Sequence, residues 1–329
     1  MQIRNFTRED IKDVTALWNE TVKERDFYYS FSEEELTSIL FNNRSFDEEG
    51  AFVALADDKI VGFAVGFVRV EDRDDENKPG YFNTIVVHPH YQRQYIGTAL
   101  FEHVLAYFKQ MKRHAIRSVY LSPVNYPWYI PESNHHNHPG APAIPINSPE
   151  YFFLISQGFD IQGQIDGFHL PLAKFEMPKE VLKVIEDNKK QGRTCEVYDE
   201  TKHQGIEEFC QTIEVDNPGF ARAIRYNLNR EKPYPFLIIN NNGKVAGWTG
   251  PMYTESTGRG HLDGITVDPN VRGGGLGKML FCTLCDYSKK QGSSFMTFFT
   301  GLENPARRIY LFAGFRVAQS FAIMRKEIK

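Results

Sequence analysis

The sequence predicts an α/β chain made of two copies of one unit in series. Three observations predict it. First, residues 267–280 read VDPNVRGGGLGKML; the short apolar run 265–267 leads in and the amphipathic run 279–290 leads out, so the glycines sit on a strand-to-helix turn. Second, a degenerate version of this run stands 180 residues earlier. There Val87-His88-Pro89 matches Val267-Asp268-Pro269, and Gln92, Gly97 and Leu100 match Arg272, Gly277 and Leu280. Third, Pro149 matches Pro305 and Gly158-Phe159 matches Gly314-Phe315 at an offset of 156, and Asp58-Lys59-Ile60-Val61-Gly62 matches Gly243-Lys244-Val245-Ala246-Gly247. Self-similarity of this kind marks one supersecondary unit used twice. The two offsets differ by 24, which sizes an insertion in the first copy, mostly within 126–147 and rich in Pro, His and Asn.

The elements follow in order. Residues 2–6 read as a strand. Thr7 caps a helix through Glu24, with Ile11, Val14, Leu17 and Trp18 at helical spacing and Glu9 and Asp10 in its first turn. A second helix spans 32–42. Residues 51–56 and 60–70 form a hairpin around Asp57-Asp58, and the acidic run 71–78 is a solvated loop. Residues 81–87 are a strand, 96–113 a helix, 117–122 a strand and 148–157 a helix. Residues 177–191 form a connecting helix with Pro178 at its first position and Val181, Leu182 and Ile185 on one apolar face.

Composition sets the outer bounds. The 329 residues allow two domains of ordinary size, and 41% hydrophobic content supports packed cores. A net charge of −4 gives no basic field to recruit nucleic acid. Four cysteines are too few for a disulfide framework in a chain this long, and Cys282 and Cys285 read as small core residues of one helix. The N-terminus MQIRNFTRED has no apolar signal segment, and no run reaches the roughly 18 apolar residues of a membrane span. These points predict a cytoplasmic protein, a monomer or homodimer, with no nucleic-acid or membrane partner.

The glycine run is built to seat a pyrophosphate. Gly273, Gly274, Gly275 and Gly277 lack a Cβ, so their backbone can come close to a ligand. Their N–H groups open a helix, where the dipole favours anions, and Arg272 and Lys278 add two cations. It is not a P-loop, because Gly277-Lys278 is followed by Met279 rather than Ser or Thr. It is not the dinucleotide fingerprint, which belongs to a first β-α unit, whereas this run lies near the C-terminus. The run resembles motif A of the GNAT superfamily of acyl-CoA N-acyltransferases, V-x-P-x-x-R-G-x-G-x-G, through Val267, Pro269, Arg272, Gly273, Gly275 and Gly277. Residues 304–315, NPARRIYLFAGF, resemble a later motif of that family, with Tyr310 in register with Gly314-Phe315.

The resemblance covers nearly the whole chain, specific in the second half and degenerate in the first, in the manner of tandem-domain members. It implies two tandem GNAT-like domains, each a mixed, mostly antiparallel sheet flanked by helices. Residues 1–174 would be the degenerate, non-catalytic domain, 175–192 the connecting helix and 193–329 the catalytic domain. It implies an N-acetyltransferase that moves an acetyl group by direct transfer from acetyl-CoA to an amine of a small molecule or peptide. The co-substrate would be held by Thr266, Val267, Arg272, Gly273, Gly274, Gly275, Leu276, Gly277, Lys278 and Asn304, and Tyr310 would be the general acid.

A base is also needed, because a lysine-like amine has a pKa near 10.4 and is mostly protonated at neutral pH. Strand alternation puts His261, Asp263, Ile265 and Val267 on one face, directly before the seat. His261 suits that role near pH 7, and Asp263 is the alternative or orients it. The first half has Tyr81 and Asn83 in their places, Leu154 for Tyr310, Ser148 for Asn304 and Gln92 for Arg272. Tyr95 replaces Gly275 and is expected to crowd a pyrophosphate. The insertion would then serve as a wall, with Tyr126, Trp128 and Tyr129 lining a substrate pocket. His135, His136 and His138 have no Cys or spaced acid cluster beside them, so no metal is expected. The rival readings are a non-catalytic acyl-CoA sensor and a tRNA-dependent aminoacyl transferase; an intact seat and the lack of a basic surplus weigh against the latter.

Overall fold

A computed structural model of the chain describes residues 1–23, 25, 27–119, 122–138 and 143–329. One element order runs twice. The first pass is β1 (Gln2–Asn5), α1 (Ile11–Val22), α2 (Glu33–Phe41), β2 (Ala51–Ala56), β3 (Lys59–Phe67), β4 (Gly80–Val87), α3 (Ile96–Gln110), β5 (Ala115–Ser118), a short β6 (Ile144–Pro145), α4 (Pro149–Ser156) and β7 (Asp160–Pro171). Helix α5 (Lys179–Lys189) follows. The second pass is β8 (Arg193–Val197), α6 (Ile206–Glu214), α7 (Pro218–Leu228), β9 (Leu237–Asn241), β10 (Lys244–Gly250), β11 (Gly264–Val267), α8 (Leu276–Lys290), β12 (Phe295–Gly301), α9 (Arg307–Phe312) and β13 (Arg316–Glu327).

The chain divides into two compact units. The first holds Met1–Pro131, His135–Asp166 and Gln319–Lys329; the second holds Glu132–Asn134 and Gly167–Ala318. The expected cuts at 174 and 192 therefore differ from the observed ones. Helix α5 lies wholly within the second unit. The two strands 156 residues apart, β7 and β13, change places: β7 passes into the second unit from Gly167, and β13 into the first from Gln319. Within the first unit Met324, Arg325, Lys326 and Glu327 pair antiparallel with Ser118, Arg117, Ile116 and Ala115. Within the second, Phe168 O accepts from Thr297 Oγ1 of β12 at 2.9 Å.

Local chemistry explains the elements. Ser32 and Glu35 close a capping box on α2, Ser148 caps α4 through Tyr151 N at 3.1 Å, and Asp10 accepts from Thr7 N at 2.9 Å while pairing with Arg4. The first helix starts one turn later than expected, after a 3₁₀ turn, Arg8–Asp10. Its expected end at Glu24 lies outside the described residues, as do Tyr120 and Leu121 of the expected 117–122 strand and residues 139–142 of the insertion. The acidic run 71–78 is anchored rather than merely solvated: the Arg113 guanidinium donates to the carbonyls of Asp72, Arg73 and Asp75. The α6–α7 pair was not anticipated. Its signals are Pro218 at the first position of α7 and the apolar positions Phe209, Cys210, Ile213, Ala221 and Ile224.

Each sheet is covered on both faces, giving two cores per unit. In the first unit α1 and α2 cover one core (Val14, Trp18, Leu36, Phe63), and α3 the other (Leu100, Phe101, Val104, Phe108). In the second, α6 and α7 pack over Phe209, Ile224, Ile238 and Trp248, and α5 and α8 over Val181, Ile239, Leu280 and Phe281. Helix α5 approaches the glycine run closely. Gly275, at φ 77, has no room for a side chain, because a Cβ there would lie 2.8 Å from Val184 Cγ1. Gly275→Ala is accordingly expected to destabilise the fold by about 1–3 kcal/mol. Adding Val184→Ala should return most of that in a denaturant titration; no recovery would show that this contact is not the constraint.

Candidate active site

The site begins where two strands part. In the second unit β11 is the edge of the four-stranded sheet β8-β9-β10-β11. Just before β11 starts, its chain touches β12 at a parallel bridge, Arg259 to Phe295, with Gly260 N donating to Phe295 O at 2.8 Å. Beyond that point the strands diverge. The gap is a cavity of about 640 Å³ walled by residues 264–267 and 298–300, with the start of α8 and the α9 residues Ile309 and Tyr310 completing it. The first unit repeats this geometry: β4 and β5 pair in parallel at Gly80–Ile116 and Tyr81–Arg117, near the start of β4.

The loop at the end of β11 is fixed before any ligand enters. Asp268 Oδ1 accepts from Asn270 N at 2.8 Å, and Arg272 Nε donates back to Val267 O at 3.1 Å. Gly273, Gly274 and Gly275 follow with φ 114, 56 and 77, a path that L side chains rarely adopt. Of the ten residues expected to hold the co-substrate, Thr266, Val267, Arg272, Gly273, Leu276, Gly277 and Asn304 line the cavity. Gly274, Gly275 and Lys278 do not. The Gly274 carbonyl accepts from Asn188 Nδ2 of α5 at 2.8 Å, Gly275 abuts Val184, and Lys278 Nζ rests 3.9 Å over the Phe312 ring. Asn304 holds an Asx turn, accepting from Ala306 N at 2.9 Å and donating to Thr300 Oγ1 at 2.7 Å.

Tyr310 lies on the cavity wall, 7% exposed, packed by Phe168, Phe281 and Phe298. Burial pushes its phenol up to about 12, so it keeps its proton at neutral pH. His261 and Asp263 come together, but not as neighbours on one strand face: β11 starts only at Gly264. The two precede it in a segment still tied to the sheet, His261 N donating to Tyr253 O and Asp263 N to Gly250 O. His261 Nε2 faces Asp263 Oδ1 at 2.9 Å, and its Nδ1 faces Glu255 Oε1 at 2.7 Å. Only a protonated ring can donate to both carboxylates. Burial opposes that charge, yet the bonds to Asp263 and Glu255 outweigh it and hold the His261 pKa above its ordinary 6.5. Asp263 lines the cavity; His261 stands behind it, stacked on Tyr253 at 4.3 Å.

Sequence reasoning missed four residues here. Glu255 and Arg259 sit in an irregular segment with no periodic signal, Arg259 Nη1 pairing with Glu255 at 2.7 Å. Asn217 and Phe220 reach the cavity from the unanticipated α7.

The sequence matches the acetyltransferase (GNAT) family over residues 17–127 and 198–315. The chain belongs to that family. No curated protein matches it. Among solved structures it is similar to a GCN5-related glucosamine N-acetyltransferase region of a fungal multi-domain GH3 β-N-acetylglucosaminidase, at 15% identity and TM-score 0.59, covering 99% of this chain and 38% of that one. It thus spans under half the length of that protein. A GCN5-related N-acetyltransferase from Sphaerobacter thermophilus shares 16% identity at TM-score 0.56, covering 100% and 96% of the two chains. A tandem GNAT protein from the clavulanic acid biosynthesis pathway shares 14% at TM-score 0.52, covering 99% and 98%. At these identities the likeness shows the fold. The chain is a tandem GNAT protein.

The first GNAT copy has a similar loop and other side chains around it. Gln92 Nε2 donates to Val87 O at 2.9 Å, as Arg272 does to Val267. Arg93 and Tyr95 take φ 62 and 63 where the second copy has glycine. The Tyr95 ring is 83% exposed and lines a cavity of about 410 Å³. Leu154, 1% exposed, stands where Tyr310 stands. The expected pocket aromatics belong largely to this unit's core. Tyr126 is stacked on Trp18 at 5.1 Å and accepts from Thr84 Oγ1 at 2.9 Å; Trp128 is 1% exposed; Tyr129 stacks on His135 at 4.3 Å. Among the described residues no group of three or more His, Cys, Asp or Glu is placed to hold a metal, and no helix is long and apolar enough to cross a membrane.

In an NMR titration the His261 ring is expected to titrate above pH 6.5. Glu255→Gln, which removes one of its two carboxylates, should lower that midpoint. An unchanged midpoint would show that Glu255 does not hold the charge.

Proposed function

We propose that the chain is an N-acetyltransferase that transfers the acetyl group of acetyl-CoA directly to an amine, with the chemistry in the second unit. One observation carries the reading: a buried, protonated tyrosine, a carboxylate backed by an imidazole, and a pre-shaped glycine loop all open on one cavity between two diverging strands. Arg272, Gly273 and Gly277 would take the pyrophosphate, and the free edge of β11 at Thr266 and Val267 the pantetheine and the carbonyl. Lys278, turned to Phe312, is left out of the seat.

Asp263 receives the acceptor's ammonium and, with His261, takes its proton. The amine nitrogen then bonds to the acetyl carbon as the carbon–sulfur bond breaks. Tyr310 donates its proton to the departing thiolate and takes up the proton that the nitrogen sheds, through solvent, as it becomes the amide. The first unit has no group in Tyr310's place and is assigned no catalytic step.

Tyr310→Phe is expected to lower kcat by about 10²-fold or more with the KM for acetyl-CoA unchanged, because the hydroxyl acts only as the thiolate leaves. Leu154→Ala should alter stability alone. A base must be free of its proton to work, so kcat/KM should rise through the His261 midpoint above pH 6.5 and flatten beyond it. Full turnover in Tyr310→Phe would remove its general-acid role. A tight acetyl-CoA complex with no turnover on any amine would favour the sensor.

A further inference from the structure

The cavity has two ends of different character. The loop end carries Arg272 and the glycines. Next to Asp263, Phe220 lies over Gly264, with Asn217 and Leu262 also on the wall, and β12 adds Phe299 and Phe298, which packs on Tyr310, so one carboxylate and one amide share the cavity with four apolar side chains. Resting on the acyl-transfer reading of this site, we propose that the acceptor is a primary monoamine carried on a flat apolar body, of the arylalkylamine class.

The wall is fixed rather than pliable. The Phe220 ring lies directly over Gly264, where an added Cβ would come within 2.3 Å of it, so a glycine is required there for the ring to seat. Its other support is Trp248, at 5.7 Å and 46°. A rigid aromatic face of this kind favours a flat apolar partner by stacking and by the area it removes from water. Asn217 is the residue before α7, yet its side chain makes no capping hydrogen bond to the helix, which leaves its amide for the cavity.

The charges point to a single ammonium. Asp263 pairs with His261, His261 with Glu255, and Glu255 with Arg259. In the reactive form, with the imidazole neutral, the two carboxylates and one guanidinium of this chain leave a single negative charge, which one ammonium offsets. The further ammonium groups of a polyamine or an aminoglycoside would face Phe220, Leu262, Phe298 and Phe299, and burying a charge or an unpaired polar group there is costly. A peptide's amides would meet the same walls.

The test is calorimetry on the full chain saturated with desulfo-CoA, which has no thiol and cannot react. The probes are 2-phenylethylamine, spermidine, kanamycin and tetra-alanine. The expected result is that 2-phenylethylamine binds at least about tenfold tighter than the other three, a difference of about 1.4 kcal/mol. Phe220→Ala and Asp263→Asn should each weaken it by about tenfold, with desulfo-CoA affinity unchanged. Phe220→Leu fills the space over Gly264 but loses the flat face; it should keep desulfo-CoA affinity and still weaken 2-phenylethylamine. Equal or tighter binding of any other probe overturns the proposal, as does unchanged affinity in the Phe220 variants. Acetyl-CoA turnover separates the two levels of the argument. Acetylation of spermidine but not of 2-phenylethylamine sinks the monoamine assignment and leaves the acyltransferase. Tight 2-phenylethylamine binding without any acetylated product sinks the acyltransferase and leaves the pocket.

Discussion

One arginine ties the walls of the second unit's cavity together. Arg259 forms the parallel bridge to Phe295 at which β11 and β12 last touch, and its Nε donates to Thr297 O of β12 at 2.9 Å. Its other arm holds Glu255, Glu255 faces His261, and His261 faces Asp263 on the cavity wall. The same side chain therefore ties the root of the cleft, three contacts on, to Asp263 on the cavity wall. The cleft is where ladder hydrogen bonding between β11 and β12 is absent, so it exposes strand backbone that a ligand can pair with. The site follows from a sheet failing to close at one defined place.

The second constraint is the loop. Two of its three positive φ angles recur in the first copy, at Arg93 and Tyr95 in place of glycines, and the clamp from residue 92 to residue 87 matches that from 272 to 267. The clamp thus survives loss of the glycines, while the path at residue 94 does not follow that at Gly274. What differs is chemistry: Leu154 has no hydroxyl to give, and the Trp18–Tyr126–Phe31 stack forms part of that unit's core. At Gly275 the missing side chain makes room for Val184 of α5.

Much of this was legible in the sequence, for physical reasons that also mark the limits. The repeat showed because a Val-x-Pro turn, a glycine at the helix start (Gly97 and Gly277) and a Gly-Phe pair stand at fixed spacing in both halves. Tyr310 and Asn304 were placed by that register, and both reach the cavity. The exchange of β7 and β13 was not legible, since a strand's pattern does not name its neighbours. Lys278 reads as a phosphate cation in the sequence, which cannot say which way a flexible stem turns; in the structure its Nζ rests over Phe312. Tyr126 and Trp128 looked like a pocket because aromatic residues in an insertion suit a wall as well as a core. His261 and Asp263 were paired from strand alternation although the strand begins after them. Their partner Glu255 lies in irregular chain, where no period gives it away.

The most direct test of the account is a crystal structure of the full chain with acetyl-CoA. The account predicts density in the β11–β12 cleft, with the pyrophosphate on the loop at Arg272–Gly277 and the thioester sulfur within hydrogen-bond reach of the Tyr310 hydroxyl, about 3–3.5 Å. Acetyl-CoA bound only in the cavity of the first unit, or in the second unit with its sulfur turned away from Tyr310, would contradict it.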